Sequence, residues 1–280
     1  MSCYLCQSNE YSKRAGTVRD NRDIDVLQCD ECGLVYLSST DHIKKEHYEE
    51  SGMHDDGLNI NSWLKETDKD DERRFQFIKE KITNKNVLDF GCGVGGFLEK
   101  AKTVAKTVVG VELERALQPS FKQRLLTVFS DLTSVRGSYD VITAFHVVEH
   151  LSDPAITLRD LSTLLSFGGE IIVEVPNSED ALLTLYNNKN FQNFTYWSQH
   201  LYLYNAQTIR RLVRKSGLKL NWVKHIQRYS LANHLYWLAK GKPGGHEKYK
   251  FIDAVELNKQ YESQLAALGV TDTIIISIST

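Results

Sequence analysis

The stretch Asn86–Leu98, NVLDFGCGVGGFL, decides the fold of this chain. Val87, Leu88 and Phe90 predict a buried β-strand, and the glycines after them predict a tight turn into a helix that begins near Gly96. Glycine permits both a sharp turn and the close approach of a ligand to bare backbone, so a ligand is expected at this turn. Taken alone, the turn is compatible with a nicotinamide-dinucleotide site, a flavin site or a plain connection between strand and helix.

Three later stretches follow at the spacing of successive β-α units. They are KTVVGVELE (Lys106–Glu114), LLTVFSDL (Leu125–Leu132) and YDVITAFHVVEH (Tyr139–His150). Each predicts a strand, and acidic residues stand at the ends of the first two, Glu112 and Asp131. Glu112 lies about twenty residues after the glycine turn, where an acidic side chain meets a ribose in dinucleotide folds. The alternation of strands and helices predicts a parallel sheet that is covered on both faces.

In this order, the motifs D-F-G-C-G-V-G-G, G-V-E, S-D-L and Y-D-V-I-T-A-F-H-V-V-E-H resemble those of class I S-adenosylmethionine-dependent methyltransferases. The resemblance covers roughly Asn86–Asn177 and implies an α/β, doubly wound, mostly parallel seven-stranded Rossmann-like sheet. It also implies that the glycine turn holds the methionine half of S-adenosylmethionine, Glu112 the ribose hydroxyls and Asp131 the adenine amine, with S-adenosylhomocysteine as product. The cofactor-binding residues expected on this basis are Asp89, Gly91, Cys92, Gly93, Glu112, Leu113, Asp131, Leu132, Phe145 and His146. The nicotinamide alternative is disfavoured by the extra Gly95 and by an aspartate inside the strand.

Four of the five cysteines lie before residue 33, in two C-x-x-C pairs: Cys3, Cys6, Cys29 and Cys32. Each pair can form a tight knuckle whose thiolates point at one ion, and two knuckles complete a tetrahedral four-sulfur site. Disulfides are disfavoured because no signal peptide precedes the cysteines, and the thioredoxin-like alternative lacks a βαβ pattern. The spacing therefore predicts one structural zinc in a ribbon over residues 1–40, a body too small to be stable without the metal.

The rest of the chain suggests a linker, a lid helix and two insertions. Residues 41–85 are predicted to hold the linker and lid helix, with an amphipathic helix over Thr67–Ile82; in related methyltransferases a tyrosine-bearing segment here covers the cofactor, which makes Tyr48 a lid candidate. The methyltransferase domain is predicted over residues 86–280, with an aromatic-rich insertion at 178–204 and a helical insertion at 229–268 around the breaker GKPGG. Asp153 and Pro154 are predicted to begin a helix that Gly168 and Gly169 end, before a fifth strand, Glu170–Val175. Asn205 is predicted to cap a further helix.

The run His146–His150, HVVEH, matches an inverted zinc-protease pattern, but that pattern needs both histidines on an established helix and here they follow a strand end. The pair Glu149-His150 in this run resembles the E-H pair found at this place in the methyltransferases of quinone biosynthesis and in the zinc-ribbon sugar methyltransferases. The run WSQHLY, residues 197–202, resembles H-E-H-L-x-Y of ribbon-bearing deoxysugar C-methyltransferases, with Gln199 in place of the glutamate. Glutamine cannot take a proton from carbon, so O- or N-methylation is favoured over sugar C-methylation. The predicted catalytic residues are Glu149, His150 and His200, and a structural role for the histidines stays open.

The amino-acid composition and net charge of the chain limit the functions that it can have. With 280 residues, 41% of them hydrophobic and 25% charged, the chain is typical of a soluble globular protein, and without an apolar leader it is expected to be cytoplasmic. Net charge is −2, and residues 1–40 carry three arginines and one lysine against six acids. A nucleic-acid partner is therefore disfavoured, although an RNA methyltransferase that grips through its ribbon is the first alternative. A non-catalytic cofactor-binding scaffold is the second alternative. The expected partner is a small-molecule acceptor, sugar, sugar-linked or quinone-like.

Overall fold

The fold is known from a computed structural model, which describes residues 2–43, 48–49 and 59–280. The strands are β1 (Tyr11–Lys13), β2 (Val26–Cys29), β3 (Val35–Leu37), β4 (Asn86–Phe90), β5 (Thr107–Val111), β6 (Val128–Phe129), β7 (Tyr139–Phe145), β8 (Leu165–Pro176), β9 (Tyr202–Leu203), β10 (Lys219–Ile226) and β11 (Thr273–Ser279). The helices are α1 (Ile60–Ile82), α2 (Gly96–Ala101), α3 (Gln118–Gln123), α4 (Pro154–Ser162), α5 (Lys189–Thr195), α6 (Ala206–Lys215), α7 (Leu231–Lys240), α8 (Gly245–Lys248) and α9 (Val255–Leu268). Most of the predicted linker, residues 44–47 and 50–58, lies outside the described residues.

A seven-stranded sheet runs through the described part of the chain in the order β10-β11-β8-β7-β4-β5-β6. β4 pairs in parallel with β5 on one side and with β7 on the other, and β5 pairs in parallel with β6. Val87 and Leu88 of β4 and Ile142 of β7 are almost fully buried. The α/β, mostly parallel, Rossmann-like sheet predicted from the sequence is confirmed, and parallel pairing places the carboxyl ends of β4, β5 and β7 at one edge.

Helix α1 is longer than the sequence pattern predicted. It begins at Ile60 rather than Thr67, because the Asn59 side chain accepts a hydrogen bond from the backbone N–H of Ser62 at 3.0 Å and caps the first turn. Its buried face carries Phe75, Ile78 and Ile82, as expected of the amphipathic helix that the sequence predicts.

The boundary between α4 and β8 differs from the prediction. Helix α4 begins at Pro154 and ends at Ser162, where Thr163 and Leu164 donate backbone hydrogen bonds back to the third residue before them. The chain enters β8 at Leu165, so Gly168 and Gly169 lie inside the strand and do not end the helix. Gly168 has φ +75°, which glycine adopts without steric cost, and no atom of the described residues lies within 4 Å of the position of a Cβ there.

The cysteine-bearing segment builds a second, four-stranded sheet in the order β1-β2-β3-β9. Its last strand comes from the aromatic-rich insertion: Tyr202 pairs antiparallel with Tyr36, and Leu203 pairs with Val35. The sequence does not predict this pairing, because a two-residue strand carries no periodic signal.

The chain divides into two compact units. The ribbon unit comprises Met1–His42, Val148–Ala155 and Glu174–Ile276, and the turn unit comprises Ile43–Val147, Ile156–Val173 and Ser277–Thr280. The domain limits predicted at residues 40 and 85 stay predictions. No helix in the described ranges combines the length and the apolar character that crossing a membrane requires.

Candidate active site

The glycine turn lies between β4 and α2 in the turn unit. Gly91 and Gly93 have φ angles of +71° and +51°, which only glycine adopts without cost. A side chain at Gly91 would collide with Val147, whereas among the described residues the nearest heavy atom to a Cβ at Gly93 would be Cζ2 of Trp63, at 3.9 Å. The backbone therefore approaches its neighbour closely at Gly91 and leaves space beside Gly93, as a ligand cradle requires.

Glu112 follows β5 and is tied directly to this turn. The backbone N–H of Gly93 donates to its Oε2 at 2.8 Å, and the N–H of Glu114 donates to its Oε1 at 2.9 Å. Burial raises the pKa of Glu112, and these backbone hydrogen bonds act in the opposite direction. Each carboxylate oxygen keeps a second lone pair, so Glu112 can accept two further hydroxyl hydrogen bonds, the number that a ribose diol offers.

The side chains of Asp89 and Cys92 are buried and contact neighbouring strands. The Asp89 carboxylate is 3% exposed and accepts a hydrogen bond of 2.6 Å from Oγ1 of Thr143 on β7. Burial raises the pKa of Asp89 to about 7. Cys92 is also buried, and its Sγ lies so close to Gly110 of β5 that a Cβ there would be 2.7 Å away. Both side chains hold the turn against neighbouring strands, which positions its backbone.

The remaining cofactor candidates lie after β5, β6 and β7. Leu113 is 38% exposed. Asp131 caps the 3₁₀ turn Leu132–Ser134, accepting hydrogen bonds from the backbone N–H of Ser134 at 2.9 Å and from its Oγ at 2.8 Å. Hydrogen bonds from Thr133 and Ser134 lower the pKa of Asp131. The strand before it spans only Val128–Phe129, much less than the predicted Leu125–Leu132.

Phe145 ends β7 and packs edge to face against Phe97 of α2, with ring centroids 5.1 Å apart, while the guanidinium of Arg74 lies 5.1 Å from its ring. His146 follows with φ +56°, the left-handed region that non-glycine residues rarely adopt and that is enriched at functional sites. The next element, Val148–His150, is a single 3₁₀ turn, so the segment lacks the helix that the inverted zinc-protease pattern needs.

The three catalytic candidates come together in the ribbon unit. Glu149 is fully buried, and one ligand atom each from Glu149, His150 and His200 lies within 4.8 Å of the other two. The rings of His150 and His200 are 4.9 Å apart, and Trp197 packs edge to face on both. We call these three side chains the Glu-His-His cluster. The ten cofactor candidates, by contrast, all belong to the turn unit.

A backbone contact orients His150. Its Nδ1 lies 2.9 Å from the carbonyl oxygen of Gln199. A carbonyl only accepts hydrogen bonds, so Nδ1 carries the proton, and in the neutral ring Nε2 keeps its lone pair. No sequence signal could have identified this contact, because Gln199 contributes through its main chain.

The four early cysteines meet as the spacing predicted. Sγ of Cys3 and Cys32 are 3.5 Å apart, those of Cys6 and Cys29 are 3.4 Å apart, and all four sulfurs lie within 4.8 Å of one another. Sulfurs on one tetrahedral zinc with bonds of about 2.3 Å would be about 3.8 Å apart, so the donor set fits that ion. The backbone N–H of Gln7 bonds the carbonyl of Cys3, and that of Gly33 bonds the carbonyl of Cys29, forming two tight knuckles.

Comparison with known proteins gives the family. A family model described as a methyltransferase domain matches residues 64–221. The ubiquinone biosynthesis O-methyltransferase of Acinetobacter baylyi is 24% identical over 174 residues, which are 56% of this chain and 73% of the relative. The enzyme of the same name from Sodalis glossinidius is 30% identical over 120 residues, 37% of this chain and 47% of the relative, so the chain spans about half of its length.

Among solved structures, an S-adenosylmethionine-dependent methyltransferase of Thermotoga maritima matches with a TM-score of 0.51 and 16% identity, covering 79% of this chain and 95% of that one. A match at this identity speaks for the fold alone. Because the family model covers more than half of the chain and the sheet and glycine turn agree with it, the chain belongs to the methyltransferase-domain family and is a class I S-adenosylmethionine-dependent methyltransferase.

Proposed function

We propose that this enzyme methylates an oxygen or nitrogen of a small-molecule acceptor, a sugar, sugar-linked or quinone-like compound. The observation that carries the proposal is the Glu-His-His cluster, which offers a buried carboxylate and two imidazoles within 4.8 Å. Methyl transfer to a hydroxyl or amine needs a group that takes up the acceptor's proton, and imidazole is the side chain best suited to this near neutral pH. The names of the O-methyltransferase relatives are consistent with such an acceptor.

On the cofactor side, the turn at Gly91–Gly93 would hold the methionine half of S-adenosylmethionine, and Glu112 the ribose hydroxyls. S-adenosylmethionine supplies an electrophilic methyl group when it is bound. The distance of 3.9 Å from a Cβ at Gly93 to its nearest described neighbour supports this assignment, as does the capacity of each Glu112 oxygen to accept a second hydrogen bond. Asp131, Leu132 and Leu113 would surround the adenine, and Asp89 and Cys92 would act by fixing the turn.

On the acceptor side, His200 would receive the proton of the acceptor, with His150 beside it. Glu149 would hold the developing imidazolium, since a buried carboxylate stabilises a cation strongly. Trp197 packs on both imidazole rings and limits their orientation. A base positioned in this way contributes roughly 10²–10⁴-fold to the rate.

We also propose that Cys3, Cys6, Cys29 and Cys32 hold one structural zinc ion. The four thiol sulfurs fit a closed tetrahedral site, in which no position is open for a substrate. The ribbon would then be a folding element rather than part of the chemistry.

The acceptor is found by incubating the enzyme and isotopically labelled S-adenosylmethionine with a metabolite extract and identifying labelled products by mass spectrometry. His200→Asn should lower turnover on that acceptor by about two orders of magnitude while cofactor affinity stays near wild type. His246→Asn is the matched control, because His246 is exposed on α8 and outside the cluster. Full activity of His200→Asn would contradict the assigned role, and label transferred only to RNA would contradict the acceptor class.

A further inference from the structure

We propose that Tyr4 is a positioning residue for methyl transfer, which fixes the chain segments that carry His150 and His200. The inference rests on the proposed function, in which these two histidines face the acceptor. Tyr4 lies in the first cysteine knuckle, between Cys3 and Cys6. The ribbon stays outside the chemistry itself, and its first knuckle acts on the place that the two imidazoles take.

The hydroxyl of Tyr4 makes two hydrogen bonds to the segment that follows His150. It donates to Oδ1 of Asp153 at 2.6 Å and accepts from the backbone N–H of Ala155 at 3.0 Å. The first is a short bond to a carboxylate, a type that is roughly twice as strong as a bond between neutral groups. A phenol hydroxyl can donate and accept at once, whereas a phenylalanine ring can do neither.

The second of these bonds completes the start of helix α4. The first N–H groups of a helix have no partner inside it, and a proline at the first position carries no N–H. Pro154 begins α4, so the N–H of Ala155 is the first backbone donor of this helix. Ala155 is buried, and loss of the Tyr4 hydroxyl would leave its N–H without this acceptor. Only three residues separate His150 from Pro154, so a displaced helix start would move His150 as well.

The ring of Tyr4 contacts the segment that follows His200. Its centroid lies 5.1 Å from that of Tyr202, which comes two residues after His200 in the chain. The ammonium group of Lys215, at the end of α6, lies 5.0 Å from the same ring and holds its face by a cation–π contact. The hydroxyl of Tyr202 in turn donates to the carbonyl of Ser152 at 3.4 Å. Tyr4 and Tyr202 therefore join the two segments to each other.

The knuckle limits the movement of Tyr4 itself. The backbone N–H of Gln7 bonds the carbonyl of Cys3, and the N–H of Cys3 bonds the carbonyl of Ser8, which closes the turn around Tyr4. The zinc ion proposed for the four cysteines would hold the sulfurs of Cys3 and Cys6 at once. A residue between two ligands of one ion keeps a fixed backbone while the ion is bound, so the placing of both histidines would depend on the knuckle.

The first measurement observes the histidine rings directly. Tyr4→Phe removes the hydroxyl and keeps the ring, and Tyr11→Phe is the matched control, because Tyr11 belongs to the same sheet and is 46% exposed. Full-length, zinc-loaded proteins with ¹⁵N-labelled histidines are compared by nuclear magnetic resonance, with His150→Asn and His200→Asn identifying the two sets of ring signals. We expect Tyr4→Phe to shift the Nδ1 signal of His150, whose bond to the carbonyl of Gln199 is strained when the segment moves. Tyr11→Phe should leave that signal in place.

The second measurement is the rate on the acceptor that the labelling experiment identifies. Tyr4→Phe should lower kcat by about tenfold or more, because a displacement of a reacting group by about 1 Å can cost about 100-fold. The KM for S-adenosylmethionine should stay near the wild-type value, and Tyr11→Phe should keep the wild-type kcat. Elemental analysis should find one zinc per chain in all three proteins, which separates a change of position from loss of the ribbon.

Each outcome bears on one of the two proposals. Unchanged ring signals of His150 and His200 in zinc-loaded Tyr4→Phe overturn the inference, and so does a kcat equal to that of the wild type. If Tyr4→Phe does not retain zinc, Asp153→Ala breaks the same hydrogen bond from outside the knuckle, and unshifted ring signals in that variant overturn the inference. If the ring signals shift as expected but the wild type methylates no acceptor, the positioning by Tyr4 stands and the proposed function fails.

Discussion

Two carboxylates of the turn unit, those of Glu112 and Asp89, have different surroundings. Glu112 accepts backbone hydrogen bonds on both oxygens and keeps lone pairs for a ligand, whereas Asp89 is sealed between β4 and β7 against Thr143. Both stand at the ends of strands in the sequence, and both were expected to meet the cofactor. The two carboxylates differ in their hydrogen-bond partners, which are backbone N–H groups for Glu112 and the hydroxyl of Thr143 for Asp89.

Glu112→Ala should weaken S-adenosylmethionine binding. Charge-assisted hydrogen bonds to the ribose hydroxyls contribute about 1.5–3 kcal/mol each, so the loss in affinity should be at least tenfold. Isothermal titration calorimetry measures it directly. Glu114→Ala is the matched control, because Glu114 is a neighbouring acid whose carboxylate caps the next 3₁₀ turn through the N–H of Ala116. Equal affinities of Glu112→Ala and the wild type would remove Glu112 from the cofactor site.

Asp89→Asn should change how stability depends on pH. The folded pKa of Asp89 is about 7, above the ordinary 3.8, so between these values the folded chain keeps a proton that the unfolded chain releases. Wild-type stability from this group is therefore present at low pH and lost as pH rises toward 7. The asparagine variant, which keeps an acceptor for Thr143, lacks this loss and should be more stable than wild type by roughly 1–4 kcal/mol at about pH 8.

The free energy of unfolding of the wild type and of Asp89→Asn is measured by urea unfolding at several pH values, without cofactor. Burial also raises the pKa of Asp180, to about 8, but Asp180 is present in both proteins and cancels in the difference. A difference in stability that does not vary with pH would show that Asp89 is ionised in the folded protein throughout the range.

At the scale of elements, the connection between β4 and α2 depends on one steric contact. A Cβ at Gly91 collides with Val147, which lies two residues beyond β7, so the glycine lets the turn and the end of a neighbouring strand pack together. The cost of any side chain at Gly91 has two parts, the left-handed φ and the collision.

A double-mutant cycle separates these parts. Gly91→Ala should lower the free energy of unfolding by about 2–4 kcal/mol, and Val147→Ala in the same chain should recover the steric share, about 1–3 kcal/mol. Gly217→Ala isolates the conformational share, because Gly217 has φ +74° and no atom of the residues that the structure describes lies within 4 Å of the position of a Cβ. Urea unfolding provides the measurement, and strict additivity of the two substitutions would contradict the steric explanation.

Several elements were predictable because their determinants are local. The strand-turn-helix at Asn86–Leu98 and the start of α4 at Pro154 follow from hydrophobic pattern, glycine and proline, and the structure reproduces them. Helix α6 was predicted from Asn205, whose side chain accepts from the backbone N–H groups of Gln207 and Thr208. The predicted end of α4 at Gly168 was wrong, because pairing in the sheet outweighs the tendency of a glycine to end a helix.

At the scale of the whole molecule, the ribbon sheet is completed by a strand more than 160 residues further along the chain, Tyr202 beside Tyr36. The cysteine knuckles and the insertion that carries His200 therefore share one compact unit. Metal binding at the knuckles should support the sheet to which β9 belongs.

Loss of a cysteine ligand tests both the proposed zinc ion and this dependence. Cys29→Ser should lose the single zinc equivalent measured by elemental analysis and lower the thermal unfolding temperature, because a ribbon of this size buries too little apolar surface to be stable alone. Cys92→Ala should keep its zinc, since the fifth cysteine lies outside the four-sulfur cluster. Wild-type protein purified without chelator that contains no zinc would refute the assignment.

The class of sheet, the glycine turn and the grouping of the cysteines can be deduced from the sequence, because each depends on residues close together in the chain or on a fixed spacing. Tertiary structure alone decided that β9 joins the ribbon sheet and that His150 bonds the main chain of Gln199, 49 residues away. A backbone carbonyl is the same in every residue type and a two-residue strand has no period, so neither leaves a trace in the sequence. The Glu-His-His cluster depends on the sequence motif and on the tertiary structure. The motif supplies Glu149 and His150, and only the folded chain brings His200 to them.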